Sequence, residues 1–153
     1  MGAPRPRPWS TWAALAERSR RTLLVDLDAQ AHTTFWLVGA SGRENGPFVQ
    51  DWLERKCRSK AVVRETAWPN LDVIPGNLAL NHLRDRLDPA KRAADARVLR
   101  EAFQEIAAPY AWVLLDCPAG LNSLTINALA AADRLLIPVA PPDSISTDGT
   151  NTC

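Results

Sequence analysis

Short apolar runs without polar alternation are the clearest pattern along the chain. One such run covers Trp112–Leu115; Arg21–Leu27 form a second apolar strand, and Leu71–Ile74, which include Asp72, a short third one. Such a run is typical of a strand that is covered on both faces of a parallel sheet. A fourth run, Arg134–Val139, lies just before Pro141. We therefore predict four strands in one sheet.

Helical patterns separate these runs. Along 91–107, Leu99, Ala102, Phe103 and Ile106 follow the i, i+3, i+4, i+7 spacing of one apolar helix face. Alternating strands and helices predict an α/β fold with a parallel sheet and right-handed crossovers. The predicted helices are Ser10 to about Arg20, Phe48–Lys56, a helix capped by Asn77 that runs through Arg86, one that starts at Asp88-Pro89 and includes Lys91–Ala107, and Ser123–Ala132.

Carboxylates stand where two of the predicted strands end. Asp26 and Asp28 close the first strand, and Asp116 closes the third, just before Cys117-Pro118-Ala119-Gly120 breaks it. Carboxylates at the ends of neighbouring strands suit Mg²⁺, which keeps most of its waters and is held by few protein oxygens plus substrate phosphates. We expect a nucleotide site there. A turn role for Asp116 and a turn or helix-cap role for Asp26 are the alternatives.

Composition narrows the class of protein. The 153 residues are 46% hydrophobic and 23% charged, with a formal net charge of +1, so charge alone gives no argument for nucleic acid or membrane binding. The three cysteines form no C-x-x-C pair, which favours neither a disulfide framework nor a zinc site and fits a reducing cytoplasm. His32 and His82 lack a convincing set of partner ligands. We expect a cytoplasmic protein without a membrane span.

Three stretches together resemble the ParA-type partition ATPases of the deviant Walker class, which includes the MinD-like proteins. RTLLVDLDAQAHTT (21–34) resembles the family's strand and switch I, usually written D-x-D-P-Q. WPNLDVIPGNLAL (68–80) resembles its middle strand and following helix, and YAWVLLDCPAGLNSLTINALAAADRLLIPV (110–139) its Walker B strand, switch II, helix and next strand. Their order and joint occurrence make the resemblance specific. Ala29 and Ala119 stand where the family usually has proline.

The resemblance implies a P-loop NTPase-like fold that binds ATP and Mg²⁺ and forms a homodimer around nucleotide. It also implies nonspecific DNA binding, a ParB-like partner and nucleoid association. Asp28 would then be the hydrolysis-linked carboxylate and Asp116 the Walker B carboxylate, both catalytic and both facing the metal. The implied nucleotide-binding residues are Asp26, Asp28, Gln30, Asp116, Cys117 and Pro118.

The family's phosphate-binding loop, of the type K-G-G-x-G-K-T-T, has no counterpart in residues 1–153. Where alignment would place it, the chain reads Pro4-Arg5-Pro6-Arg7-Pro8. Proline removes the backbone amides that cradle phosphate, and arginine does not restore them. We therefore divide the chain into an irregular segment (1–9), a partial ParA-like ATPase domain (10–149) and a tail (150–153). Whether it is an ATPase stays open.

A frameshift offers one explanation of this proline-arginine segment. If the codons from Pro4 to Ala13 are read displaced by one base, they permit Lys-Thr-Thr-Thr-Val-Val-Asn-Leu-Gly, which is the family's loop and first helical turn. The residue before that lysine would be encoded by NCC, which cannot give the usual glycine. The gene's nucleotide sequence tests the hypothesis, because any Arg5 codon other than AGA or AGG removes the displaced lysine. The alternative is a chain that drifted or never had the loop.

The overall expectation is an α/β, P-loop NTPase-like parallel sheet flanked by helices, without the P-loop strand and the C-terminal strands. In the family the P-loop strand lies beside the Walker B strand, so we expect an open strand edge and marginal stability. Three functions are compatible with the residues. They are a partition ATPase, a non-catalytic remnant or interaction module of the same fold, and an unrelated metal-dependent phosphohydrolase using Asp26, Asp28 and Asp116.

Overall fold

The computed structural model describes residues 20–87 and 97–137. Several predicted features lie outside these residues: the segment 1–9, the helix predicted from Ser10 up to residue 19, the helix start at Asp88-Pro89, residues 138–139 of the fourth strand, and the tail 150–153. Within the described ranges, no helix combines the length and the apolar character needed to span a bilayer.

Four strands and six helices make up the described part of the chain. The strands are β1 (Thr22–Asp26), β2 (Arg64–Glu65), β3 (Leu71–Ile74) and β4 (Trp112–Asp116). The helices are α1 (His32–Glu44), α2 (Val49–Leu53), α3 (Ser59–Val62), α4 (Leu80–Arg86), α5 (Val98–Phe103) and α6 (Ser123–Ala131).

The strands form one sheet in the order β2-β3-β1-β4. β1 pairs in parallel with both β3 and β4, which confirms the predicted parallel arrangement of the three apolar runs. β2 was not predicted, and it runs antiparallel to β3 at the outer side. It pairs through only two residues, Arg64 and Glu65, too short a segment to show a periodic pattern in the sequence.

Both faces of the central strand are covered by helices, as an unbroken apolar run requires. Leu23 and Val25 of β1 are fully buried in a core that is completed by residues of α2, α4, α5 and α6. Leu24 points to the opposite face, where it packs with Leu37 of α1 and with Leu71 and Val73 of β3. All five residues of β1 are buried.

Several helix predictions are confirmed. α4 ends at Arg86 as predicted, but its N-cap residue is Ala79 and no side chain caps it; the Asn77 side chain accepts from the Ala79 amide in the turn before the helix, so the predicted Asn77 cap is wrong. Leu99 and Ile106 are buried on the predicted apolar stripe. α6 begins at Ser123 as predicted, and the Asn122 side chain caps it by accepting from the amides of residues 124 and 125.

Four helices differ from the predictions. α1 and α3 were not predicted, α2 ends at Leu53 rather than at Lys56, and α5 ends at Phe103 rather than at Ala107. The early end of α2 has a local cause, because Arg55 adopts a left-handed conformation with φ of 59°. The amides of Arg55 and Lys56 then bond back to the carbonyls of Trp52 and Asp51, which closes the helix in a Schellman motif.

The predicted fourth strand is wrong for its described residues. Residues 134–137 pair with no described strand, and Leu135, Leu136 and Ile137 are 67%, 70% and 68% exposed. A strand needs a hydrogen-bonded neighbour, and β4 is the last strand of the sheet on this side among the described residues. The five residues of β4 are correspondingly only half-buried.

Candidate functional site

The carboxyl ends of three parallel strands meet at one edge of the sheet. Asp26 of β1 lies directly opposite Asp116 of β4 in the strand register. Val25 lies opposite Ile74 of β3, so the chain leaving β3 through Gly76 runs beside Asp26. The structure therefore brings together the two strand-end carboxylates that the apolar runs indicated.

Asp26 is a buried anchor. Its side chain has no exposed surface, and its Oδ2 accepts hydrogen bonds from the Thr34 amide at 2.8 Å and the Thr34 hydroxyl at 2.7 Å. Its Oδ1 accepts from the Asp28 amide at 3.1 Å. Burial raises the pKa of Asp26, the Thr34 and Asp28 hydrogen bonds oppose the rise, and the charge of Asp116 adds to it. These contacts are those expected of an aspartate in a turn or helix-cap role. Because no atom of Asp26 is exposed, the structure does not support the predicted contact between Asp26 and nucleotide.

Asp26 caps α1 from a distance of eight residues. Ala31 occupies the residue before this helix in a left-handed conformation, with φ of 51°, and offers no side-chain acceptor. The Thr34 amide lies in the first turn of α1, where helix amides have no partner within the helix. Since the Asp26 carboxylate accepts from this amide, the end of β1 fixes where α1 begins.

Gly76 is required by close packing against the backbone of the chain that leaves β1. Its amide donates to the Thr34 hydroxyl at 2.9 Å. A Cβ atom at this position would lie 2.6 Å from the Asp26 carbonyl oxygen and 3.1 Å from that of Asp28. Only glycine allows so close an approach, and the approach ties the ends of β1 and β3 to the first turn of α1.

Asp116 ends β4 as the sequence predicted. Its side chain is half-buried, and its Oδ2 accepts a hydrogen bond from the Thr33 hydroxyl at 2.5 Å. Its backbone carbonyl accepts from the Leu27 amide at 2.9 Å, which extends the β1–β4 pairing beyond the strands. Unlike Asp26, Asp116 is accessible to a ligand at the edge of the sheet.

Asp28 lies in the loop after β1. Its Oδ1 accepts from the Gln30 amide at 3.0 Å, so the loop is held by a short local turn. Asp28 and Gln30 line a cavity of about 130 Å³, with Pro118 on another wall. The loops that follow β1 and β4 therefore border one small cavity, whose other polar lining residues are Asn81, Arg84 and Asn122. Cys117, the remaining predicted contact residue, is exposed.

The oxygens at this edge suit a magnesium ion that keeps most of its waters. Within 20–87 and 97–137, no group of three or more His, Cys, Asp or Glu side chains could enclose a metal ion. Mg²⁺ is usually held by one or two carboxylates plus substrate phosphates rather than by a cage of protein ligands. The accessible Asp116 carboxylate fits that need, and Asp28 in the neighbouring loop adds a second acidic group.

The predicted site did not include Thr33 and Thr34. Both hydroxyls donate to strand-end carboxylates, Thr33 to Asp116 and Thr34 to Asp26. The available signal was a pair of hydroxyl residues shortly after two aspartates at a strand end. That signal gains meaning only once α1 is known to begin at His32.

Comparison with known proteins decides the family. A family model described as an AAA domain matches residues 10–152. The chain is 35% identical over 128 residues to the chromosome partitioning protein ParA of Caulobacter vibrioides, and 35% identical over 127 residues to the sporulation initiation inhibitor protein Soj of Bacillus subtilis. The chain belongs to the ParA-type ATPase family. The cell division protein PomZ of Myxococcus xanthus is 37% identical over 125 residues.

Solved structures place this ParA-type chain in the same fold. Cobyrinic acid a,c-diamide synthase from Mycobacterium smegmatis, with bound ADP and magnesium, matches with a TM-score of 0.70 and 32% identity over 78% of this chain and 47% of that one. Apo McdA from Cyanothece matches with a TM-score of 0.71 and 25% identity, over 82% of this chain and 48% of the McdA chain. The predicted P-loop NTPase-like fold is thus confirmed.

The ParA-type chain spans about half the length of its relatives, or less. The match with PomZ covers 82% of this chain but 38% of PomZ. The match with Caulobacter ParA covers 82% of this chain and 47% of that protein, and the match with Soj covers 83% of this chain and 49% of Soj. The described sheet is correspondingly a partial version of the family fold, with β4 at its edge.

Proposed function

We propose that this chain is an ATPase-like protein of chromosome or plasmid partitioning that keeps the magnesium-facing half of a nucleotide site and is degenerate for ATP hydrolysis. The observation that carries the proposal is the placement of Asp116 opposite Asp26, at the ends of parallel strands in a ParA-type fold. The relatives that support partitioning are named for it, as chromosome partitioning proteins.

Each acidic residue has a distinct proposed role. Asp116 would hold a metal-bound water, and Asp28, in the loop after β1, would orient the attacking water where hydrolysis occurs. Asp26 acts as a buried support, since Thr34 and Asp28 already occupy its oxygens. Magnesium, when bound, would neutralise charge on the transferring phosphoryl group. Gln30, Cys117 and Pro118 are the remaining residues for nucleotide contact.

Loss of the phosphate-binding loop accounts for the proposed degeneracy. The stretch Pro4–Pro8 contains no lysine or glycine, and each of its three prolines lacks an amide hydrogen. Catalysis of phosphoryl transfer depends almost entirely on positioning and charge stabilisation. Removal of one preorganised donor from an active site costs about 3 kcal/mol of transition-state stabilisation, and this chain lacks several.

The proposed partners follow from the family. They are a ParB-like protein, DNA bound without sequence preference, and a second copy of the chain around ATP and Mg²⁺, in the cytoplasm and at the nucleoid. The solved relative with bound ADP and magnesium supports the choice of nucleotide. A non-catalytic interaction module of the same fold is the alternative, and the proline-arginine segment favours it.

Phosphate release tests the proposed degeneracy. The chain is incubated with ATP and Mg²⁺, with and without DNA, beside Asp116→Asn as the matched control. We expect the two proteins to release phosphate at the same background rate. Magnesium-dependent release that Asp116→Asn abolishes would show an active ATPase and overturn the proposal.

A further inference from the structure

Two consecutive threonines in the first turn of α1 donate to different strands. The Thr34 hydroxyl reaches buried Asp26, and the Thr33 hydroxyl reaches half-buried Asp116. The bond to Asp26 already caps the helix, because the Thr34 amide joins the same carboxylate oxygen. The bond from Thr33 is therefore not needed to start α1, and it acts on a carboxylate that a ligand can reach.

The Thr33 bond has the length of a charge-assisted hydrogen bond. Its 2.5 Å separation lies at the short end of the range for a hydroxyl that donates to a carboxylate. An aspartate side chain rotates broadly about its terminal torsion, so a bond to Oδ2 restricts that rotation. None of the described residues donates a hydrogen bond to Oδ1, which stays available to a water bound to a metal ion.

We propose that Thr33 is a positioning residue that orients Asp116 toward a hydrated divalent cation. This inference rests on the proposed function, which places the magnesium-facing carboxylate at Asp116. Partners that hydrogen-bond a metal-ligating or metal-facing carboxylate fix its orientation, and their removal typically lowers metal affinity about 10-fold to 100-fold. Thr33 acts here through the carboxylate, without contacting the metal itself.

Manganese binding tests this role without nucleotide or turnover. Mn²⁺ replaces Mg²⁺, and its binding to the intact chain is followed by water-proton relaxation. Thr33→Val and Thr33→Ala remove the hydroxyl, and Thr33→Ser retains it. Thr66→Val is the matched control, since the Thr66 hydroxyl donates only to backbone carbonyls of Trp68 and Leu71 among the described residues. Circular dichroism confirms that each variant is folded.

We expect about tenfold weaker Mn²⁺ binding in Thr33→Val and Thr33→Ala, with wild-type affinity in Thr33→Ser and Thr66→Val. Asp116→Asn should abolish the binding. If Asp116→Asn abolishes it while Thr33→Val and Thr33→Ala bind like wild type, the positioning role is wrong and the metal site stands. If Asp116→Asn binds like wild type, or if the wild-type chain binds no Mn²⁺, the metal side of the proposed function fails as well.

Discussion

Half-buried Tyr110 lies at the end of the sheet opposite the carboxylate edge, where it contacts buried Asp72 and exposed Arg21. Its hydroxyl donates to Asp72 Oδ2 at 2.8 Å, and Arg21 donates to the same oxygen at 3.0 Å. The Arg21 guanidinium also lies 5.1 Å from the centre of the Tyr110 ring. These contacts hold together the starts of β1 and β4 and the second residue of β3.

The first prediction concerns the ionisation of Tyr110. Burial, followed by the hydrogen bond to Asp72, raises the pKa of Tyr110 to about 12. A raised folded-state pKa means that this group stabilises the fold fully below its unfolded pKa of about 10 and loses that contribution as pH rises through about 12. Because the chain has a single tyrosine, phenolate absorbance reports this residue alone. If Tyr110 in the folded chain titrates near the ordinary pKa of tyrosine, the burial of its hydroxyl and the hydrogen bond to Asp72 are wrong.

The close contact between Gly76 and the Asp26 backbone predicts that a larger residue at position 76 destabilises the fold. In Gly76→Ala the new methyl group would meet the Asp26 carbonyl oxygen at 2.6 Å. We expect a loss of about 1 to 3 kcal/mol in the free energy of unfolding, as for other overpacked sites. Gly120→Ala is the control, because φ of 87° is strained for alanine there but no atom lies within 4 Å of its Cβ. Urea unfolding should show the larger loss for Gly76→Ala, and an equal loss would mean that the contact is relaxed without cost.

Among the helices and strands, the sequence predicted those whose defining residues lie within or directly beside the element. β3 matches its predicted range, and α4 ends at the predicted residue Arg86. α1 was missed because its capping group, Asp26, lies eight residues before Thr34. Its first turn also contains β-branched threonines, and Gly39 interrupts its helical conformation.

Arg55 supports a prediction on the end of α2. It occupies the left-handed position of a Schellman motif with φ of 59°, where a side chain costs roughly 1 to 2 kcal/mol relative to glycine. Its exposed ion pair with Glu105, at 3.6 Å, contributes little. We expect Arg55→Gly to raise the free energy of unfolding by about 1 kcal/mol.

Arg58→Gly is the matched control for that substitution. Arg58 is also exposed but has φ of −73°, where glycine brings no relief of strain and adds freedom to the unfolded chain. Chemical unfolding should therefore show stabilisation by Arg55→Gly and none by Arg58→Gly. Destabilisation by Arg55→Gly would contradict the assigned conformation at the end of α2.

At the level of the sheet, the described part of the chain places no strand on the outer side of β4. The apolar run Arg134–Val139 has the composition of a strand, yet residues 134–137 pair with no described strand, since pairing depends on a neighbour that local sequence does not specify. The carboxylate edge was predictable because parallel strands bring their carboxyl ends together. The hydrogen bonds of Thr33 and Thr34 depend on how α1 meets that edge.

The same side of β4 predicts self-association. Among residues 20–87 and 97–137, no strand pairs with the outer side of half-buried β4, and the side chains of Leu135, Leu136 and Ile137 are exposed, so unpaired backbone and apolar surface occur together. We expect association that rises with concentration in analytical ultracentrifugation and falls in Leu136→Lys. Leu78→Lys, which replaces another exposed leucine, should have a smaller effect. A monomeric wild-type chain with a cooperative thermal transition would argue against this prediction.

We propose that the ParA-type chain has a carboxylate edge for magnesium but no phosphate-binding loop. Isothermal titration calorimetry with ATP and Mg²⁺ measures the consequence, because nucleotide affinity depends on a lysine and on successive backbone amides, and Pro4–Pro8 has no lysine and three prolines without an amide hydrogen. We expect no micromolar binding of ATP, with or without Mg²⁺. Micromolar affinity that requires Mg²⁺ and is lost in Asp116→Asn would contradict it.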